Sequence, residues 1–270
     1  MRKTEDRHIM KICKCLIIII LFLRPVFAEP ADKQSNTVDA HFYVSGGAGV
    51  AHFSNNIFNW SDDYSSEFLE KAASYDSSYS NCHLHDEKYI KTNPMINISF
   101  SSDIYYKNCG LGLSVKNNYY AYSDDLYGHN PDDRCYDYLS VRSTNISPSL
   151  LIRTNAIEFG EDRIIHFFGG IGIDYVILHY KYHIGGDFPP VGAKTKEFRD
   201  SSLGWHVSAG INYDYGLLGL FSELTYTHVH FDSIKEKNGS DVMRYSDGRK
   251  VSTSIDTVVL SVGAGLHIGW

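Results

Sequence analysis

The end of the chain alternates between apolar and small or polar residues. From Val258 the even positions read Val258, Leu260, Val262, Ala264, Leu266, Ile268 and Trp270, and between them lie Val259, Ser261, Gly263, Gly265, His267 and Gly269. Only a strand gives a period of two, because its successive side chains point to opposite faces. The run is also about twice the usual strand of a soluble protein, whereas a tilted strand crossing a bilayer needs roughly nine to eleven residues. A second such run sets Leu203, Trp205, Val207, Ala209, Ile211, Tyr213 and Tyr215 against Ser202, Gly204, His206, Ser208, Gly210, Asn212 and Asp214. A third sets Phe42, Val44, Ala48 and Val50 against Tyr43, Ser45, Gly47 and Gly49, with glycines where a narrow barrel would bend its strands.

Five weaker strands are predicted at about 89–101, 109–122, 138–154, 163–181 and 217–231. The segment 163–181 is apolar on both faces in places, which leaves its register open, and Pro94 and Pro148 mark bulges or strand starts. The total is eight. Connections 54–88, 123–137, 182–201 and 232–253 are long and polar, and those at 102–108, 155–162 and 216 are short. Long connections on one side and short turns on the other describe an all-β fold: an eight-stranded antiparallel up-and-down transmembrane β-barrel with long extracellular loops and both termini in the periplasm.

The N-terminus supports that reading. Lys11 and Lys14 precede the apolar run Cys15–Leu23, and Val26-Phe27-Ala28 supplies small residues for cleavage. This is a secretory signal, too short for a spanning helix, expected at 1–28 with Met10 a possible start. Residues 29–270 then form a single barrel domain, and no later stretch is long and apolar enough to span as a helix. The expected location is the bacterial outer membrane, with lipid as one partner.

Composition adds less. A net charge of −7 gives a nucleic-acid partner no electrostatic support. Aromatics at 14%, 22 glycines and a slightly negative mean hydropathy suit a barrel that is greasy outside and polar inside, but also a soluble sandwich.

The chemistry to be placed is mostly charge. Lys116, Asp174, Asp214 and Glu223, with Arg153 and His166, alternate with lipid-facing residues and so face the lumen. In eight strands they either pair into a plug or line a small ion-conducting pore. Cys82 and Cys135, in the first two long loops, are candidates for a disulfide, with two free thiols as the alternative. Cys109, at the periplasmic end of its strand, is expected to be free. Cys82-His83-Leu84-His85-Asp86 reads as a solvated loop and His228 with His230 as rim residues, so neither a metal nor a cofactor is implied. No nucleophile elbow and no Ser–His pair close in sequence on one face is present, so an enzyme is not expected. Tyr64, Tyr75, Tyr79, Tyr122, Tyr127 and Tyr136 suit either contact surfaces or loop packing.

Four short motifs carry a resemblance. Phe42-Tyr43-Val44-Ser45-Gly46-Gly47, Asn93-Pro94 before alternating residues, Phe168-Gly169-Gly170-Ile171-Gly172-Ile173-Asp174-Tyr175 and the closing Gly263-Ala264-Gly265-Leu266 resemble the Anaplasma/Ehrlichia-type bacterial surface antigens, within the opacity-protein and outer-membrane-protein-A-like barrels. The resemblance implies a surface antigen facing the host through its loops, or, as in members described as porins, a small pore. It says nothing of the oligomeric state. A soluble periplasmic barrel is a third reading.

Overall fold

The computed structural model describes residues 38–77, 92–106, 110–122, 135–154, 156–159, 163–186, 194–237 and 241–269. Eight long strands carry the fold: β1 (Val38–Phe53), β2 (Thr92–Tyr106), β3 (Leu111–Tyr122), β4 (Cys135–Arg153), β6 (Arg163–Gly186), β7 (Lys194–Tyr215), β8 (Leu218–Phe231) and β9 (Thr253–Gly269). A two-residue strand, β5 (Ile157–Glu158), adds to β6 in the connection after β4. Each long strand pairs antiparallel with its sequence neighbour, β1 pairs with β9, and β4 pairs with β6, so the sheet closes. The fold is therefore an eight-stranded closed antiparallel β-barrel.

Closure fixes the tilt. Ladder partners followed once around the barrel run from His41 through Asp103, Ser114, Ser149, Gly172, His206, Thr227 and Thr257. The path returns to β1 at Ala51, ten residues along. A stagger of this size in eight strands tilts them by roughly 40°. The outward apolar positions of β6 run from Phe167 to Ile177. At about 3.3 Å per residue and that tilt they span roughly 25 Å, the height of a bilayer's apolar band. The band continues around the barrel through Phe100, Leu113, Leu150, Ile211, Leu224 and Val262. Leu203, Ile171 and Val262 leave 67%, 60% and 60% of their surface exposed. A largely apolar surface of this extent, with Asn117 as a polar position within it, is stable against lipid and not against water.

Two glycines meet specific demands. A side chain at Gly265 would place its Cβ 1.7 Å from the Phe42 carbonyl oxygen, so only hydrogen fits between β9 and β1 there. Gly216, at φ +56°, turns the chain from β7 into β8. The prolines introduce no bulge. Pro94 keeps the β1–β2 register beside Val50, and at Pro148 the β4–β6 ladder omits two pairs and resumes in the same register.

The first long connection departs from expectation. Residues 54–88 were expected to form a polar loop, yet Asn55–Tyr75 is a helix, α1. Trp60, Phe68 and Ala72 are buried and Tyr64 is half-buried, four residues apart along one face, while Ser66, Glu67, Glu70 and Lys71 face water. The expected long loop at 182–201 is largely strand, because β6 runs to Gly186 and β7 begins at Lys194.

Beyond the lipid the apolar pattern changes face while the strand alternation continues. Within the band of β6, Ile171, Ile173 and Tyr175 point outward and Asp174 inward. Above it Leu178, Tyr180, Tyr182 and Ile184 point inward, and His179 and Lys181 outward. Apolar residues face whichever side lacks water. That side is the exterior within the bilayer and the interior above it.

Candidate functional site

The lumen of the band is polar and tightly filled. Lys116 and Glu223, from β3 and β8, form an ion pair across it, with side chains 10% and 4% exposed. Asp174 accepts from the Ser147 hydroxyl and lies 3.0 Å from His206 Nδ1, whose Nε2 is 2.8 Å from Ser149 Oγ. Asp214 Oδ2 lies 3.2 Å from His41 Nε2. Arg153 pairs with Asp39 and places its guanidinium 4.2 Å over the Tyr105 ring, while His166 Nδ1 lies 3.1 Å from the Thr154 carbonyl oxygen. Lys116 and Glu223 are thus brought together. Asp174 and Asp214 take histidine partners, and strand alternation alone could not select those partners.

A second, apolar layer closes the outer mouth. Phe53, Met95, Tyr120, Tyr122, Val141, Leu178, Tyr182, Ile184, Phe231 and Met243 pack there beneath α1. The Trp60 indole stacks on Tyr64 at 5.3 Å, meets Phe198 edge-on at 5.3 Å, and donates from Nε1 to the Arg244 carbonyl at 2.9 Å. The 232–252 segment fastens the helix from outside: Ser246 Oγ donates to Asp63 at 2.8 Å and Tyr245 OH to the Asn56 carbonyl at 2.9 Å. Burial pushes the Tyr64 phenol above its ordinary pKa. Tyr64 and Tyr122 are therefore packing residues, whereas Tyr75 is exposed. Between the two layers one lumen cavity, lined by Lys116, Asp174, His206 and Glu223 among others, measures about 10 Å³, room for about one water.

Three other groupings bear on chemistry. His41, Asp214 and His267 place ligating atoms within 4.8 Å of one another at the periplasmic end, although no metal centre was expected. The two imidazoles stack at 4.6 Å with planes 17° apart, which aims their nitrogens along parallel planes and not at a common point. On the outer rim Ser254 Oγ lies 2.7 Å from His230 Nδ1, and Asp232 lies 3.3 Å from Nε2. The order is that of a hydrolase triad, but Asp232 is fully exposed, and the Ser254 amide, the donor an oxyanion would need, is given to Ser54 Oγ at 3.1 Å. His228, on the same face of β8 as His230, is 2.7 Å from Asp256, which also accepts from Tyr226 at 2.8 Å. Cys82, Cys109, the Cys82–Asp86 cluster, the signal segment and Trp270 lie outside the described residues, as does the side chain of Cys135.

Closed ladder, apolar girdle and polar lumen together define a transmembrane β-barrel of the outer-membrane type. No protein-family model matches the chain, and no curated protein matches it in sequence. Among solved structures it is similar to Neisserial surface protein A, at 12% identity and a TM-score of 0.40, over 83% of this chain and 96% of that one. It is also similar to Ail, the attachment invasion locus protein of Yersinia pestis, at 10% identity and a TM-score of 0.33, over 87% and 100%. A third is OprG from Pseudomonas aeruginosa, at 12% identity and a TM-score of 0.36, over 89% and 99%. The strand ladder, and not these likenesses, defines the fold.

Proposed function

We propose that the chain is a surface protein of the bacterial outer membrane in which a sealed barrel anchors an ordered extracellular cap, and that the cap meets the host. The support is the double closure of the lumen. Paired charges fill the band down to a cavity of about 10 Å³, and a hydrophobic core under α1 shuts the mouth above it. A hydrated ion needs a continuous water path, whereas this cavity among the described residues holds about one water. Catalysis is not part of this reading. The motifs at Phe42–Gly47 and Phe168–Tyr175 favour a surface antigen of the Anaplasma/Ehrlichia type. The contact surface is the polar face of α1, with Ser66, Glu67, Glu70 and Lys71, together with the segments beside it.

The test is planar-bilayer recording of the refolded chain without residues 1–28. The expected result is folded, inserted and electrically silent protein. Reproducible steps that change when Lys116 or Glu223 is neutralised would make it a porin. Host contact is tested separately, by binding of the folded protein to host cells with and without Glu67→Ser, Glu70→Ser and Lys71→Ser. Unchanged binding by the triple variant would remove α1 from the contact surface.

A further inference from the structure

The outer wall is not uniform where it leaves the lipid. Directly above the outward band of β4, β6 and β7, ladder partners Arg142, His179 and Arg199 stand side by side in one row. All three are exposed and all point outward. Lys181 follows on the same face of β6, and Lys237 reaches over from the 232–252 segment. A groove of about 410 Å³ runs among Tyr119, Arg142, Thr144, His179, Lys181 and Lys237. The one carboxylate lining it, Glu197, is 2.6 Å from Lys237 Nζ. Like charges in adjacent ladder positions repel, and His179 registers the effect. Desolvation first, then Arg199, Lys237 and Arg142, hold its pKa below the ordinary 6.5.

Immediately below the row lie Ile177, then Tyr175, Leu203 and Ile146, all part of the lipid-facing surface. We propose that the row seats the phosphate of an outer-leaflet lipid, its acyl chains lying along the apolar wall of β4, β6 and β7 beneath. Two guanidiniums flanking an imidazole suit a phosphate, which accepts charge-assisted hydrogen bonds from several donors at once. Continuity with the girdle selects a lipid over a soluble anion, because a lipid alone occupies both surfaces together. The inference rests on the outer-membrane reading, through the side of the bilayer on which the row lies.

Trp205, outward on β7 below Arg199, reports on this wall. The full chain with Trp270→Phe, which keeps Trp205 and the cap-buried Trp60, is reconstituted in phosphatidylcholine vesicles carrying brominated phosphatidic acid or, separately, brominated phosphatidylcholine, and quenching of its fluorescence is followed. At roughly fivefold per basic residue, Arg142 and Arg199 together give phosphatidic acid a preference of about 25-fold. Arg142→Gln with Arg199→Gln brings the preference close to unity while quenching by brominated phosphatidylcholine persists, which shows the variant inserted. Should that variant fail to insert, 1 M salt on the wild-type protein makes the same test, because screening abolishes a phosphate preference. Equal quenching by both lipids in the wild type overturns the phosphate site alone. No quenching by either removes the wall from the bilayer and the outer-membrane reading with it. A soluble sulfated oligosaccharide that binds the row as tightly without acyl chains overturns the lipid assignment.

Discussion

Lys116 and Glu223 form the ion pair nearest the middle of the lumen, and the structure predicts unequal costs for breaking it from its two ends. Both side chains are almost fully enclosed, so removing one partner leaves a charge that bulk water cannot solvate. Such losses run to about 3–5 kcal/mol. Lys116 also attracts Asp103, which is buried beside it and accepts from Ser114 Oγ. Lys116→Met therefore strands two carboxylates and belongs at the upper end, about 5 kcal/mol, while Glu223→Gln leaves Asp103 to compensate and belongs near 3. Replacing both residues, Lys116→Met with Glu223→Gln, removes the central charges together and costs less than the sum of the singles by about 3 kcal/mol or more. Urea unfolding of the refolded chain in detergent micelles, followed by tryptophan fluorescence, measures all four corners of this cycle. A coupling below about 1 kcal/mol, or Glu223→Gln costing more than Lys116→Met, would refute this account of the lumen.

Trp60→Ala removes the indole that joins α1 to the barrel and should cost about 3–5 kcal/mol, with the loss confined to the cap. Limited proteolysis should then cut within 55–75 while the barrel fragment stays folded. Gly265→Val should abolish refolding, whereas Gly46→Val, where a Cβ would meet the Asn97 carbonyl oxygen at 3.9 Å, should be tolerated; folding yield distinguishes them. His179 should titrate below 6.5, and Arg199→Gln should move it upward. Because the folded value is depressed, whatever stability His179 contributes is complete above pH 6.5 and is lost as pH falls through the folded value. NMR titration of the labelled imidazole decides this, and an unmoved midpoint in Arg199→Gln counts against the cationic row.

The strands of the band were legible because lipid on one side and a polar lumen on the other impose strict alternation, as along Val258–Ile268 and Leu203–Tyr215. The ambiguity at 163–181 has a physical origin. Two solvent regimes meet within one strand, so Tyr175 and Val176 are both apolar while facing opposite ways. The same reversal hid the upper parts of β6 and β7, where 182–186 and 194–201 read as loop. The helix could have been found, since Trp60, Tyr64, Phe68 and Ala72 repeat every four residues, but the surrounding Ser, Asp and Asn made the segment look like a loop. The inward side of Lys116, Asp174, Asp214 and Glu223 followed from parity. Their partners did not: Asp174 meets His206 through the register of the β6–β7 hairpin, and Arg153 meets Asp39 across the closed barrel.

The contacts of α1 carry a consequence for biogenesis. Trp60 rests on Tyr180, Tyr182 and Phe198, all contributed by a hairpin made more than a hundred residues later in the chain. Until that hairpin has crossed the membrane the helix has nothing to dock on, and its aromatic face remains bare. Docking of α1 therefore marks the completion of export. A chain stalled before its sixth crossing would display an uncovered tryptophan face that a quality-control protease could distinguish from the finished protein.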